Sequence, residues 1–290
     1  MNVKKYFKIV LVALVISLTA FFGVLMARIM VKPFSEGEHG DALIPVSNGK
    51  ANILVVGKDK VAANTDTIML ATINTDGNKV SIMSIPRDTK AKVGGSTMKI
   101  NAVYSFAMNT GRMAEETLIE TVSDVVGVGI NYYAIIDTTA LREIVDALDG
   151  LDYDVRPQGY YYNDPLQDLY INIPGGRQHL NGEQVEGLVR FRHDYARADL
   201  ARVEVQQDVI KELMKQKLSL KYVSKIPQIY KTVSDNVLSN LKVGDIVDFG
   251  KSVLEIDFDN VKTYTMPNYQ SGGYVIPDDD EISLLIEDEF

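Results

Sequence analysis

From Asn52 onward, short apolar runs bounded by turn residues alternate with helix-spaced segments, and that alternation narrows the fold to the α/β class. "NILVVG" and "DTIMLATIN" are strand-length apolar or β-branched runs, and "KVSIMSIP" alternates until Pro86 stops it. "NAVYSFAMN" and "AEETLIETVSDVV" have helical spacing, "NYYAIID" reads as another strand, and "TTALREIVDALDG" as a helix closed by glycine. Asn181 is a candidate N-cap with Gln184 three residues on, the capping-box spacing. Residues 199–218 and roughly 222–256 read as helical, and "NVKTYTMPN" and "GGYVIP" as closing strands. Strands mixed with helices across residues 51–290 predict one α/β domain with a central mixed β-sheet and helices on both faces. Ligands of such sheets tend to lie beyond the carboxyl ends of the strands.

The N-terminus sets where that domain operates. Lys4, Lys5 and Lys8 precede Ile9–Ala27, nineteen residues without a charge, and Arg28 and Lys32 follow. At about 1.5 Å per residue the run spans most of a ~30 Å hydrocarbon core. A cleaved signal peptide has a shorter apolar stretch and a small-residue cleavage site, whereas this run ends "GVLMARIMVKPF". The expectation is a short cytoplasmic tail (1–8), a transmembrane signal anchor (9–27), an extracytoplasmic linker (33–50, rich in Gly, Pro, Ser and charge) and the domain (51–290). Three leading lysines orient the N-terminus to the cytoplasm, which makes this a single-pass plasma-membrane protein with its domain outside.

Charge and composition remove several function classes. The net charge is -9, and without the first 32 residues, five basic and none acidic, it becomes -14. Such a domain does not hold nucleic acid by bulk electrostatics. There is no cysteine, hence no disulfide framework, thiolate zinc site or cysteine nucleophile, and three scattered histidines do not make a histidine metal centre.

Within this acidic chain, four of the ten arginines (Arg190, Arg192, Arg197 and Arg202) fall in "VRFRHDYARADLARVEVQQ", a window without lysine. Arginine grips carboxylate or phosphate through a planar fork, so the window reads as a local anion site. On a helix, Asp199, Arg202 and Gln206 share a face; Arg190 and Arg192 project together only from extended chain. The plainer reading is intramolecular ion pairing with Asp194, Asp199 and Glu204. Elsewhere, Asp59 lies just past a strand, Asp66 leads into one, and Arg87–Asp88 follow Pro86, each also readable as an ordinary turn charge.

"NILVVGKD", "NTDTIMLATIN", "KVSIMSIPRDT", "KINAVYSF", "NYYAIID", "LREIVDALDGLDYDV", "GGRQHLNGEQVEGLVRFRH" and "ADLARVEVQQ", in that order, strongly resemble the LytR-CpsA-Psr family of Gram-positive cell-wall proteins, over about residues 51–220. The resemblance implies a three-layer α/β/α sandwich with an apolar tunnel for a prenyl chain. It also implies a phosphotransferase that moves a glycopolymer (teichoic acid, capsular or related polysaccharide) from an undecaprenyl-pyrophosphate carrier to a muramic acid 6-hydroxyl of peptidoglycan. Carried over by motif, Arg87, Arg190, Arg192 and Arg202 would contact the pyrophosphate with help from Gln206. Asp59 and Asp66 would hold Mg²⁺ (Mn²⁺ as the alternative ion) or organise those arginines. Asp88 would orient Arg87 or help deprotonate the acceptor hydroxyl. One departure is Asn64 where the family usually has arginine, a lost cationic contact that Lys58 or Lys60 could replace.

Two other functions use the same residues: a non-catalytic lipid-carrier binding or regulatory protein, and a hydrolase that spends water on the same pyrophosphate. Val103, Phe106, Met113, Leu118, Val205, Val209 and Leu213 read as core rather than tunnel, His179 as structural, and Tyr160–Tyr162 as a surface loop.

Overall fold

The computed structural model describes residues 43, 49–58, 63–77, 79–165, 169–191, 198–217, 219–254, 256 and 260–290. The expected tail and anchor, together with Asp59, Lys60 and Arg192, lie outside the described residues. No described helix is long and apolar enough to cross a membrane.

The chain opens with three strands, β1 (Lys50–Lys58), β2 (Thr65–Asn74) and β3 (Lys79–Ser84), then a small hairpin of β4 (Lys90–Val93) and β5 (Ser96–Lys99). Helices α1 (Val103–Asn109) and α2 (Ala114–Val126) lead to β6 (Tyr132–Asp137) and α3 (Thr138–Ala147). Four short strands follow: β7 (Leu151–Val155), β8 (Tyr160–Asp164), β9 (Leu169–Ile173) and β10 (Gly176–Leu180). Next come α4 (Gly182–Arg190), α5 (Ala198–Lys217), α6 (Leu220–Val223), α7 (Ile226–Val233), β11 (Val237–Ser239) and α8 (Val243–Leu254). The chain closes with β12 (Val261–Thr265), β13 (Asn268–Ser271), β14 (Tyr274–Pro277) and α9 (Asp279–Glu289).

The central sheet has the order β11-β6-β1-β2-β3-β12 and is mixed. β1 runs parallel to β6 and β3 parallel to β12, while the β1–β2, β2–β3 and β6–β11 pairs are antiparallel. Strand periodicity sends alternate residues to opposite faces. Leu54, Val56, Leu70 and Met83 pack with Val103, Leu118 and Val122 of α1 and α2 and Ile282 of α9. Ile53, Met69, Ile73 and Val80 face the other way, against Val253 and partly buried Ile210, Met214 and Phe249 from α5 and α8. Burying each such aliphatic side chain is worth about 1.5–3 kcal/mol. Leu43, within the segment read as linker, bridges to Ile130 and packs on the first of these cores.

Three expectations need correction. The helical reading of 222–256 is interrupted, because Val237–Ser239 finds an edge to pair with, residues Ile136–Ala134 of β6. Tyr160–Tyr162 is strand β8, and Tyr160 is buried edge-on against Phe191, with ring centroids 5.0 Å apart. Met113 is not core: it is the exposed N-cap residue of α2. Val103, Leu118 and Val209 are buried, and Phe106, Val205 and Leu213 pack at core edges.

A third core belongs to the short strands. β7 and β10 form one antiparallel pair and β8 and β9 another. Their inward residues, including Tyr153, Val155, Ile171 and Ile173, pack with Val185, Leu188 and Phe191 from α4 and its C-cap, and with Val209 of α5.

Candidate anion-binding site

The register of β1 to β3 builds the site's floor. Gly57 pairs with Thr67 but Lys58 pairs with Thr65, so Asp66 is the extra residue of a bulge. A bulge re-aims its side chain out of the regular ladder. On the other side of β2, Met69 faces Ser84, and the Ile85 amide donates to the Ile68 carbonyl at 2.8 Å. Continued two residues further, this register sets Asp66 opposite Arg87. Their side chains meet, Arg87 Nη1 donating to Asp66 Oδ1 at 3.2 Å, and Asn101 Nδ2 reaches the same oxygen at 3.5 Å.

Asp88 lies between two cations, with Lys99 Nζ 3.1 Å from Oδ2 and Arg87 Nε 4.0 Å from Oδ1. Asn64 Oδ1 accepts from Ser105 Oγ at 3.3 Å. Lys58 Nζ stands over the Tyr104 ring, 5.2 Å from its centroid. Burial first, then the 2.7 Å hydrogen bond to Glu115, pushes the Tyr104 hydroxyl far above its usual range, so it stays a neutral donor.

Helix α5 closes the site from the other side. Arg202 and Gln206 share a face, as their spacing predicts, and both are buried, at 3% and 6% exposure. Arg202 Nη2 donates to the Asp66 carbonyl at 3.3 Å. Gln206 Nε2 donates to Thr67 Oγ1 and to the Val189 carbonyl, both at 3.1 Å, and so ties β2 to the end of α4. Arg87, Asp66, Arg202 and Gln206, far apart in sequence, are thereby brought together.

Arg190 is held differently. α4 begins at Asn181 with a complete capping box to Gln184, and Arg190 is its last residue, where the helix dipole favours a cation. Its Nη1 donates to Glu186 Oε1 at 2.7 Å, one turn back, and Glu186 Oε2 pairs with Arg142 Nε of α3. Glu186 was not among the residues expected from sequence, although its i,i+4 spacing to Arg190 was visible. His179 pairs with Asp152 at 2.7 Å, a contact of the β7–β10 pair away from these residues.

The described residues contain no group of three His, Asp or Glu side chains arranged for a metal. Mg²⁺ shared with a substrate needs less, one or two carboxylates plus phosphate oxygens and water. Asp66 is the one described carboxylate of the expected pair that such a smaller set could use, and its Oδ1 already accepts from Arg87 and Asn101.

The LytR_cpsA_psr family model matches residues 26–284. Regulatory protein MsrR of Staphylococcus aureus is 31% identical over 231 residues, 77% of this chain and 66% of that protein. The polyisoprenyl-teichoic acid–peptidoglycan teichoic acid transferase TagV of Bacillus subtilis is 27% identical over 183 residues, 62% of this chain and 45% of that protein. The chain thus matches slightly less than two thirds of MsrR's length and under half of TagV's. Among solved structures, B. subtilis TagV superposes with a TM-score of 0.67 at 24% identity, covering 84% of this chain and 96% of the other. TagT bound to LIIa-WTA superposes at 0.65 and 19% identity, covering 89% and 97%. Both structural likenesses establish the shared fold.

Proposed function

Because this chain belongs to the LytR-CpsA-Psr family, we propose that it is a membrane-anchored extracytoplasmic phosphotransferase. It would move a glycopolymer from an undecaprenyl-pyrophosphate carrier to peptidoglycan and leave a phosphodiester link. Family membership and relatives such as TagV support a role in transferring cell-wall glycopolymers. The observation that carries the finer reading is the Arg87–Asp66 pair at the bulge that begins β2, closed over by buried Arg202 and Gln206.

In the reaction, a sugar hydroxyl attacks the carrier-distal phosphorus and passes its proton to Asp88 or to water, the bridging P–O bond of the pyrophosphate breaks, and undecaprenyl phosphate leaves. The work is positioning and charge stabilisation, as in other phosphoryl transfers. Arg87 and Arg202, with Arg190 and Arg192, would bind non-bridging oxygens, and the donors of Arg87 and Arg202, already held in place, would meet charge as it develops. Asp66 orients Arg87, and Asp88, braced by Lys99, supports the same guanidinium. Gln206 keeps the end of α4 against β2. Asp66 and Asp59 would hold Mg²⁺, or Mn²⁺, which supplies further neutralisation of phosphate charge when bound.

The test uses the full chain in detergent micelles with Mg²⁺, a short polyprenyl-pyrophosphate-linked glycan and peptidoglycan fragments. Mass spectrometry should find glycan joined to peptidoglycan through a phosphodiester, and Arg87→Ala and Arg202→Ala should abolish it. Free glycan phosphate without conjugate would replace the transferase by a hydrolase. Carrier bound with neither product would favour the binding or regulatory reading, which the name of MsrR and the change at Asn64 keep in view.

A further inference from the structure

We propose that Glu186 is a positioning residue that fixes the side chain of Arg190 for the pyrophosphate. This rests on the functional reading above. The carboxylate is 1% exposed and each of its oxygens takes a different guanidinium, Oε1 from Arg190 and Oε2 from Arg142. Two guanidiniums share this one carboxylate, so Glu186 does not neutralise Arg190 completely.

The triad is anchored through backbone on both sides. A Cβ added at Gly182 would sit 2.2 Å from the Arg142 carbonyl oxygen, so α3 and the start of α4 touch where only glycine fits. The Gly182 amide also donates to Asp146 Oδ1 at 2.7 Å. Two turns along α4, the Val189 carbonyl accepts from Gln206, whose other bond is to Thr67, the neighbour of Asp66. Arg190 is therefore registered to the Asp66–Arg87 floor by its main chain and aimed by Glu186.

A plain packing role does not account for a carboxylate here. Burying an ion pair costs desolvation, and an apolar residue of similar volume is often as stable or more so. A cavity of about 350 Å³, bordered by Arg142, Asn163, Tyr170, Glu183 and Glu186, opens on the Arg142 side of the triad, and Arg190 does not line it. The Arg142 side chain is 41% exposed against 21% for Arg190, so Arg142 is the solvated brace and Arg190 the more enclosed member.

The sign of one measurement separates positioning from background charge. Removing a negative charge next to an anion site should tighten anion binding if Glu186 acts only through its field. It should weaken binding if Glu186 holds Arg190 in place. Farnesyl pyrophosphate would be titrated by calorimetry into the full chain in micelles, as wild type, Glu186→Gln, Arg190→Ala and the double variant. Glu186→Gln, nearly isosteric, should weaken binding about tenfold, the scale of one hydrogen bond to a charged group. Little further loss should appear in the double variant compared with Arg190→Ala. Glu186→Asp, which keeps the charge with a shorter reach, should fall between wild type and Glu186→Gln, and it carries the test should Glu186→Gln fail to fold. Affinity at or above wild type in a folded Glu186 variant, or additive losses in the double variant, overturns the positioning role alone. Wild type that binds no farnesyl pyrophosphate would instead sink the functional reading and this role with it.

Discussion

Two adjacent glutamines on α5 allow stability and ligand binding to be separated. Gln206 bonds toward the site, to Thr67 Oγ1 and the Val189 carbonyl at 3.1 Å each. Gln207 bonds away from it, to Ser84 Oγ at 2.9 Å and the Tyr264 carbonyl at 2.8 Å. Replacing either by leucine deletes two hydrogen bonds, worth about 1 kcal/mol each, and strands two acceptors at roughly 1 kcal/mol or more apiece. Leucine recovers some of this by burial, so each variant should lose about 2–3 kcal/mol. For a domain of this size that is a fall of about 4–12 °C in unfolding midpoint. The two variants should therefore melt alike. They should bind differently: Gln206→Leu releases the end of α4 and should weaken farnesyl pyrophosphate binding about tenfold, a loss near 1.4 kcal/mol, whereas Gln207→Leu should leave it unchanged. Thermal denaturation and calorimetry on the full chain supply both numbers. Equal losses of affinity in the two variants would refute the assignment of Gln206 to the site.

Arg87→Lys keeps the charge but loses the planar fork that meets Asp66, and kcat/KM for conjugate formation should fall at least about tenfold; wild-type turnover would remove Arg87 from the reaction. Gly182→Ala should force α3 from α4 and cost about 1–3 kcal/mol in urea denaturation; wild-type stability would show that the contact yields easily. Burial would raise the Glu289 carboxyl, but hydrogen bonds from Lys79, Lys262 and Tyr264 hold it at about 2 instead of 4.5. A depressed folded-state value stabilises above the unfolded pKa, so this contribution should disappear as pH falls from about 4.5 toward about 2. Glu289→Gln should flatten the urea midpoint over that window, and an unchanged slope would show that the charge contributes nothing.

The central sheet was legible because β1, β2 and β3 are long runs with clear ends, and Pro86 marks the last of them. The β7–β10 strands were not, since "LDYDV" and "LYINI" are five-residue alternations that pair with the short strands β10 and β8 rather than with the main sheet. α9 went unread among the aspartates of "PDDDEISLLIEDE", although Asp278 caps it by accepting from the Glu281 amide. At the site, residue types were readable and register was not. Nothing in "NTDTIML" announces a bulge, yet the bulge is what presents Asp66 to Arg87. The ion pairs expected from Asp194 and Asp199 gave no hint of Glu186, because a sequence scan weighs neighbouring charges by proximity and a helix weighs them by turn.

The packing of α5 carries one more consequence. Val209 belongs to the core of the short strands and Ile210 to the core under the central sheet, so successive residues of one helix are rooted in two hydrophobic bodies. Arg202 and Gln206 stand on that shared helix, Arg190 belongs to one body, and Asp66 and Arg87 to the other. An anion held by all of them works as a rivet across a seam. Its binding free energy adds to the work of prying the two bodies apart, so saturating ligand should slow amide exchange along α4 and α5 more than in α9, which is tied to Lys50 and Lys79 at the opposite end of the sheet.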